Sequence, residues 1–217
     1  MSQYELVIFD WDGTLMDSTP DITRAIQAAS ADLGLPVPDD ERASWVIGLS
    51  LQQALDHAVP DLTERDRQRF LDRYRYHYLA RDSELKLFDG VIALLENLSR
   101  KGAMLAVATG KSRVGLNRAF GASGIASYFA ATRCADETFG KPHPGMLLEL
   151  MDELCVDPEK VVMIGDTSHD LTMAANASVH GLGVTYGAHS VEELRKHPHE
   201  ALAHNVADLS QWLLPRV

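Results

Sequence analysis

Asp10 and Asp12 stand one residue apart at the end of an apolar run, in VIFDWDGTLMDS at residues 7–18. In extended backbone, residues i and i+2 share a face, so the two carboxylates are expected as neighbours with Trp11 on the opposite side. Like charges that close repel unless a cation or a proton compensates, so the pattern requires something positive beside it. Two further apolar runs also end on a chemically useful residue: AMLAVATG on Thr109 and KVVMIGD on Asp166.

Each run is short, rich in Val, Ile, Leu or Ala, and bounded by polar residues or glycine. That is the pattern of strands buried on both faces of a parallel sheet. Helical periodicity lies between them. Val91, Leu94, Leu95 and Leu98 form one stripe that Gly102 ends, and PGMLLELMDELCV carries another. GLGVTYG predicts a later strand, with Ser190 and Glu193 as a capping box opening the next helix. NVADLSQWLL predicts a short strand and a terminal helix. Alternating strands and helices indicate an α/β fold with a Rossmann-like parallel sheet. Ligands of such sheets bind outside the carboxyl ends of the strands, so Asp10, Thr109 and Asp166 are expected to converge on one crevice.

Residues 16–85 break this rhythm with no strand pattern. Thr19 is placed to N-cap a helix with Pro20 at N1, and Ser50 with Gln53 forms a capping box. Thr63 opens a third, long helix carrying Phe70, Leu71, Tyr74 and Tyr78. The reading is therefore an α/β core of residues 1–15 and 86–217, with a helical domain of residues 16–85 inserted after the first strand.

A net charge of −11 disfavours nucleic acid or an anionic membrane as partner, since both require a basic surface. An anionic substrate then needs local positive charge. Cys134 and Cys155 lack metal-ligand spacing and are expected as free thiols in a reducing cytosol. LVIF is too short for a signal-peptide core and no run approaches a membrane span, so a cytoplasmic protein is expected. Of the nine histidines, those in HPHEALAH at 197–204 read as a polar surface loop, and His143 and His169 as loop residues.

Four segments, in order, resemble the motifs of the haloacid dehalogenase superfamily of phosphohydrolases: DWDGTLMDS, VATGKS, GKPHP and GDTSHD. The resemblance spans the chain, and the insertion looks like the helical cap of the phosphoglycolate phosphatase-like branch. It implies a Mg²⁺-dependent phosphatase acting on a small phosphorylated metabolite, a phosphoglycolate-like compound or a sugar phosphate. Asp10 is then the nucleophile that forms an aspartyl-phosphate, and Asp12 the general acid and base. Asp10, Asp166 and the backbone carbonyl of Asp12 hold the metal, a hard cation that takes oxygen ligands. Thr109, Gly110 and Lys141 grip the phosphoryl oxygens, and Asp170 contacts the metal through water or positions Lys141.

Gly110 departs from the family pattern, which commonly has Asn after the motif-two Thr or Ser. Asp12 argues against a dehalogenase, which has no use for a second acid. A phosphonoacetaldehyde hydrolase needs a cap lysine, and no lysine precedes Lys86. Phosphoglucomutase-type phosphoryl transfer and a catalytically silent phosphate-binding or protein-interaction module are the alternatives. The cap carries eight arginines, and Arg24 together with the turn at Gly48 and Ser50 is the first place to look for substrate specificity. The arginines of ERDRQRFLDRYR read as a solvated helix face. Domain motion is expected across linkers near 15–18 and 82–88. Oligomeric state is not readable.

Overall fold

Leu6, Val7, Ile8 and Phe9 are all fully buried, because the run they form is packed on both sides. They make β1 (Leu6–Phe9), the third strand of a six-stranded parallel sheet in a computed structural model that describes residues 3–81 and 86–217. The others are β2 (Met104–Thr109), β3 (Ala131–Cys134), β4 (Val161–Gly165), β5 (His180–Val184) and β6 (Ala201–Ala203). Their order, β3-β2-β1-β4-β5-β6, reverses direction between β1 and β4. Such a switch point is where a doubly wound sheet opens a crevice.

Alternation along β1 divides the core. Val7 and Phe9 pack with Leu94, Leu95 and Leu98 of α5 (Val91–Arg100), Leu116 of α6 (Arg113–Ser123), and Leu209 and Leu213 of α10 (Val206–Leu213). Leu6 and Ile8 pack on the other face with Met146, Leu147 and Leu150 of α7 (Gly145–Leu154) and Met173 of α8 (Ser168–Asn176). A four-residue helix, α9 (Val191–Leu194), lies between β5 and β6.

Between β1 and β2 run α1 (Thr19–Asp32), α2 (Asp40–Trp45), α3 (Leu51–Ala58) and α4 (Glu64–Leu79). They bury an apolar cluster of their own, including Ile22, Ile26, Val46, Leu55, Phe70 and Tyr78. No helix among the described residues is long and apolar enough to cross a membrane. Cys134 is buried, Cys155 exposed, and both are free.

Several local expectations need correction. Ser18, not Thr19, is the residue before α1, and its hydroxyl makes no cap bond. Ser190 accepts from the Glu193 N–H, but the Glu193 carboxylate pairs with Lys196, so no reciprocal box closes. β3 was not expected, because its central Thr132 and Arg133 are only partly buried and interrupt the apolar signal. The last strand, β6, lies inside the segment read as a surface loop, ahead of Asn205 rather than after it. His169 sits in the first turn of α8, not in a loop. Residues 82–85, which hold the expected domain boundary and part of the second linker, lie outside the described residues.

Candidate active site

Asp10 and Asp166 each follow the last residue of an adjacent strand, β1 and β4, so the parallel register brings them side by side. One carboxylate oxygen each from Asp10, Asp166 and Asp170 lie within 4.8 Å of one another, in a buried cluster. Asp170 arrives there from the first turn of α8, where Thr167 caps the helix and is capped in return. Thr167 donates to Asp170 Oδ2 through its N–H (3.1 Å) and its hydroxyl (2.6 Å). Asp166 accepts from Thr14 Oγ1 at 3.0 Å and from the Ala188 N–H at 2.7 Å.

Lys141 is the cation of this cluster. Its Nζ is 2.7 Å from Asp10 Oδ1 and 2.7 Å from Asp170 Oδ1, with all three side chains buried. These are ion-pair distances, and the second oxygen of Asp10, Oδ2, has no donor. Burial pushes the Asp10 carboxyl up to about 7, against the pull of Lys141 and with the repulsion of Asp170. Burial, then Asp10 and Asp170, likewise push Asp166 well above the usual carboxylate range. Burial disfavours the Lys141 charge, but Asp10 and Asp170 overcome it and hold the ammonium firmly protonated.

Three carboxylates against one ammonium leave the buried cluster with two uncompensated negative charges when ionised. An all-oxygen donor set, with Asp10 Oδ2 left without a donor, fits a hard divalent cation such as Mg²⁺. The Asp12 side chain is not in this set. Of that residue only the backbone carbonyl, the group named in the sequence reading, is left for the metal.

Asp12 instead has a lysine of its own. Lys111 Nζ lies 2.8 and 2.9 Å from its two oxygens, and Ser18 Oγ donates to it at 2.6 Å. Each of the two motif-one acids therefore has an ammonium group beside it, Lys141 at Asp10 and Lys111 at Asp12. Ser18 forgoes its capping role for this bond. Lys111 was missed, although its spacing of two from Thr109 was a usable signal at the end of a strand. Burial opposes the charge on Lys111, but Asp12 beside it keeps the ammonium well above its ordinary range. Thr109 is buried, and its Oγ1 accepts from the Lys111 N–H at 3.2 Å.

The helical segment covers this floor. At Gly110 a β-carbon would meet the carbonyl oxygens of Gly48 and Leu49 at 2.5 Å, so the backbone of the turn after α2 occupies the space a side chain would need. Gly48 itself lies over the cluster, where a β-carbon would stand 3.9 Å from Asp10 Oδ2. Ser50 caps α3 and packs against Gly140, the residue before Lys141. Arg24 is not brought to the cluster: it is exposed and pairs with Asp21 at 2.6 Å.

Two histidines tie the turn down. His169 Nε2 and His189 Nε2 each donate to the Trp45 carbonyl, both at 2.9 Å. His189 Nδ1 accepts from the Ser168 N–H at 3.0 Å, which places its proton on Nε2. Burial pushes His169 down to about 4 and lowers His189 as well, so both rings are neutral at physiological pH. The Trp45 ring stacks on His57 with centroids 4.2 Å apart. Sequence reasoning had no means of finding this clasp, because its acceptor is a backbone carbonyl.

Comparison with known proteins agrees with this geometry. Residues 7–184 match the family model described as haloacid dehalogenase-like hydrolase. The chain is 37% identical over 196 residues to the probable phosphatase IndB of Dickeya dadantii, covering 88% of this chain and 85% of that protein. It is 32% identical over 199 residues to a phosphoglycolate phosphatase of Agrobacterium fabrum, covering 89% and 85% of the two chains. Among solved structures, a predicted phosphatase from Clostridium acetobutylicum superposes with a TM-score of 0.86 at 28% identity, over 99% of this chain and all of that one.

Proposed function

The chain belongs to the haloacid dehalogenase-like hydrolases and is a phosphatase, and from that premise we propose a Mg²⁺-dependent phosphomonoesterase that works through an aspartyl-phosphate. The observation that carries the reading is Asp10, buried at a strand end with Oδ1 2.7 Å from the Lys141 ammonium and Oδ2 free of donors.

Asp10 attacks phosphorus, and the bond to the leaving oxygen breaks. Asp12 gives that oxygen a proton, so the product departs as a neutral alcohol. A water then attacks the aspartyl-phosphate, Asp12 takes its proton back, and Asp10 is released together with inorganic phosphate. Lys141 and the Thr109 hydroxyl hold the phosphoryl oxygens, with the Gly110 N–H as a further donor. Lys141 in turn is positioned by Asp170. Bound through Asp10, Asp166 and the Asp12 carbonyl, Mg²⁺ would supply charge neutralisation for the phosphoryl group and the buried acids.

The helical segment 16–85 acts as a cap that excludes water while Asp10 carries the phosphoryl group. The substrate is a small phosphorylated metabolite, and the likeness to a phosphoglycolate phosphatase supports a compact two- or three-carbon ester. The test is hydrolysis of phenyl phosphate with and without Mg²⁺, followed by acid quench and peptide mapping. The expected result is Mg²⁺-dependent turnover and a phosphoryl adduct on the peptide containing Asp10, both absent in Asp10→Asn. Equal background rates in wild type and Asp10→Asn would overturn the reading in favour of a silent binding module.

A further inference from the structure

Two cavities, of about 260 and 380 Å³, lie around the site, and neither is lined by Asp10, Asp12, Thr109, Lys141 or Asp166. What lies over Asp10 is the turn at 46–50, and it rests on the core at three places. A β-carbon at Gly48 would stand 3.4 Å from Thr167 Oγ1 and 3.9 Å from Asp10 Oδ2. The carbonyls of Gly48 and Leu49 close on Gly110. Ser50 Cβ lies 3.3 Å from where a side chain at Gly140 would begin. An ester bound at Asp10 therefore has this turn above it, and the height of the turn limits the body that the phosphoryl group can carry.

The turn's own hydrogen bonds, Ile47 N–H to the Ser44 carbonyl at 3.0 Å and Leu49 N–H to the Val46 carbonyl at 3.2 Å, fix its shape but not its height. Its height is set at one end by the Trp45 carbonyl, which accepts at 2.9 Å from both His169 and His189 and so uses both lone pairs. Both donors are buried and belong to the core, His169 in the first turn of α8 and His189 in the segment after β5. We infer that His169 and His189 are positioning residues: through the Trp45 carbonyl they hold the turn down on the floor, and so set the size of ester that reaches Asp10.

The two rings are themselves fixed by the floor and by Trp45. His189 Nδ1 accepts from the Ser168 N–H at 3.0 Å, and the His189 N–H donates to the Asp166 carbonyl at 3.3 Å. The Trp45 ring meets His169 edge-on at 4.6 Å and stacks with His189 at 6.0 Å. Lifting the turn leaves two buried N–H donors without an acceptor, a cost that a small ester avoids and a bulky one incurs. Size selection is thereby assigned to residues of the α/β core that touch no substrate. The inference rests on the phosphatase reading above.

The test compares phenyl phosphate with biphenyl-4-yl phosphate, two aryl esters that differ by one distal ring. Wild type is expected to favour the smaller ester about tenfold or more in kcat/KM. His169→Phe keeps a ring and removes the donor, and should narrow that ratio about fivefold, chiefly through a lower KM for the larger ester. His169→Gln, whose amide returns an N–H donor, should restore most of the ratio. His57→Ala removes an exposed ring that stacks on Trp45 at 4.2 Å, and should narrow the ratio about twofold. The rise in Tm on adding Mg²⁺ should be the same in all four proteins. Equal handling of the two esters by wild type, or a ratio unaltered in the variants that fold, would overturn the inference and leave the phosphatase reading intact. So would His169→Gln behaving as His169→Phe does, or a ratio that changes only where the Mg²⁺ increment changes with it. Absence of turnover of phenyl phosphate by wild type would remove the phosphatase reading and this inference with it.

Discussion

The floor of the site and the turn that covers it are built on different principles. On the floor, Asp10, Lys141, Asp166 and Asp170 are buried: strand ends place Asp10 and Asp166, a helix start places Asp170, and Lys141 reaches them from the loop between β3 and α7. The positions of the three acids follow from the sheet and the helix packed on it, so a change there forces the core to respond. The covering turn, 45–50, has no such scaffold. It is held by the Trp45 carbonyl shared between two histidines and by the close fit of Gly48 and Leu49 over Gly110. The difference teaches where the proposed chemistry and selectivity would be stored: in strand ends set by the core, and in a few replaceable contacts that would decide what reaches them.

The sharpest way to break that contrast is to remove the cation of the floor. Lys141→Met leaves two buried carboxylates facing each other without a counter-charge. The expected loss is at least a thousandfold in kcat and about 3–5 kcal/mol in stability, the range for a broken buried ion pair, read by urea unfolding. Metal-free protein that keeps wild-type stability after this change would show that Asp10 and Asp170 are neutral in the fold.

Next in size is the interplay of pH and metal. Burial raises the Asp10 carboxyl from 3.8 to about 7. A raised folded value means that protonation favours the fold, fully below about pH 4, and that this contribution is lost as pH rises through about 7. Asp166 is shifted in the same direction. Mg²⁺ competes for the same oxygens, so its stabilisation should be small at pH 5 and reach a few kcal/mol at pH 8. The measurement is the change in Tm on adding Mg²⁺ across that window. A constant increment would place the ion elsewhere.

The floor was legible in the sequence for a physical reason. Three apolar runs ending in Asp10, Thr109 and Asp166 oblige a parallel sheet to collect them, whatever the rest of the chain does. Lys141 and Asp170 were found through their motifs rather than through periodicity. What was not legible depends on distance across the fold. Lys111 looked like one more loop residue after Thr109, and its pairing with Asp12 needs the strand end in place. The Trp45 clasp uses a backbone carbonyl, which no residue type announces. β3 was hidden because an edge strand with Thr132 and Arg133 half-exposed carries little apolar signal.

Gly110 is where the two regions meet, and restoring the family's asparagine there tests the seam directly. A β-carbon at 110 would stand 2.5 Å from two carbonyl oxygens of the covering turn, so the turn must lift. Gly110→Asn is expected to raise KM about tenfold and to speed amide exchange at residues 46–50, with the Lys141 cluster undisturbed. The direction matters. If the added amide improved activity, the turn would be mobile enough to yield, and the close fit would not be part of substrate selection.

The smallest effect is expected on the outer face of α4. Arg67, Arg69, Arg73 and Arg75 pair with Asp56, Glu64, Asp66, Asp32 and Asp72, so the positive charge of α4 is met by acids of α1, α3 and α4 itself. Arg69 is largely exposed and sits 3.4 Å from Asp66, the geometry of a solvent-screened surface pair. Arg69→Ala should therefore change stability by less than about 0.5 kcal/mol and leave kcat/KM as it was. This is a test of where selectivity lives. Of the arginines in residues 16–85 only Arg24 was expected near the substrate, and it pairs with Asp21 away from the cluster; the cations on the two motif-one acids, Lys141 on Asp10 and Lys111 on Asp12, come from loops of the α/β core. A clear loss of kcat/KM in Arg69→Ala would return substrate recognition to the cap surface and separate it from the rigid strand ends.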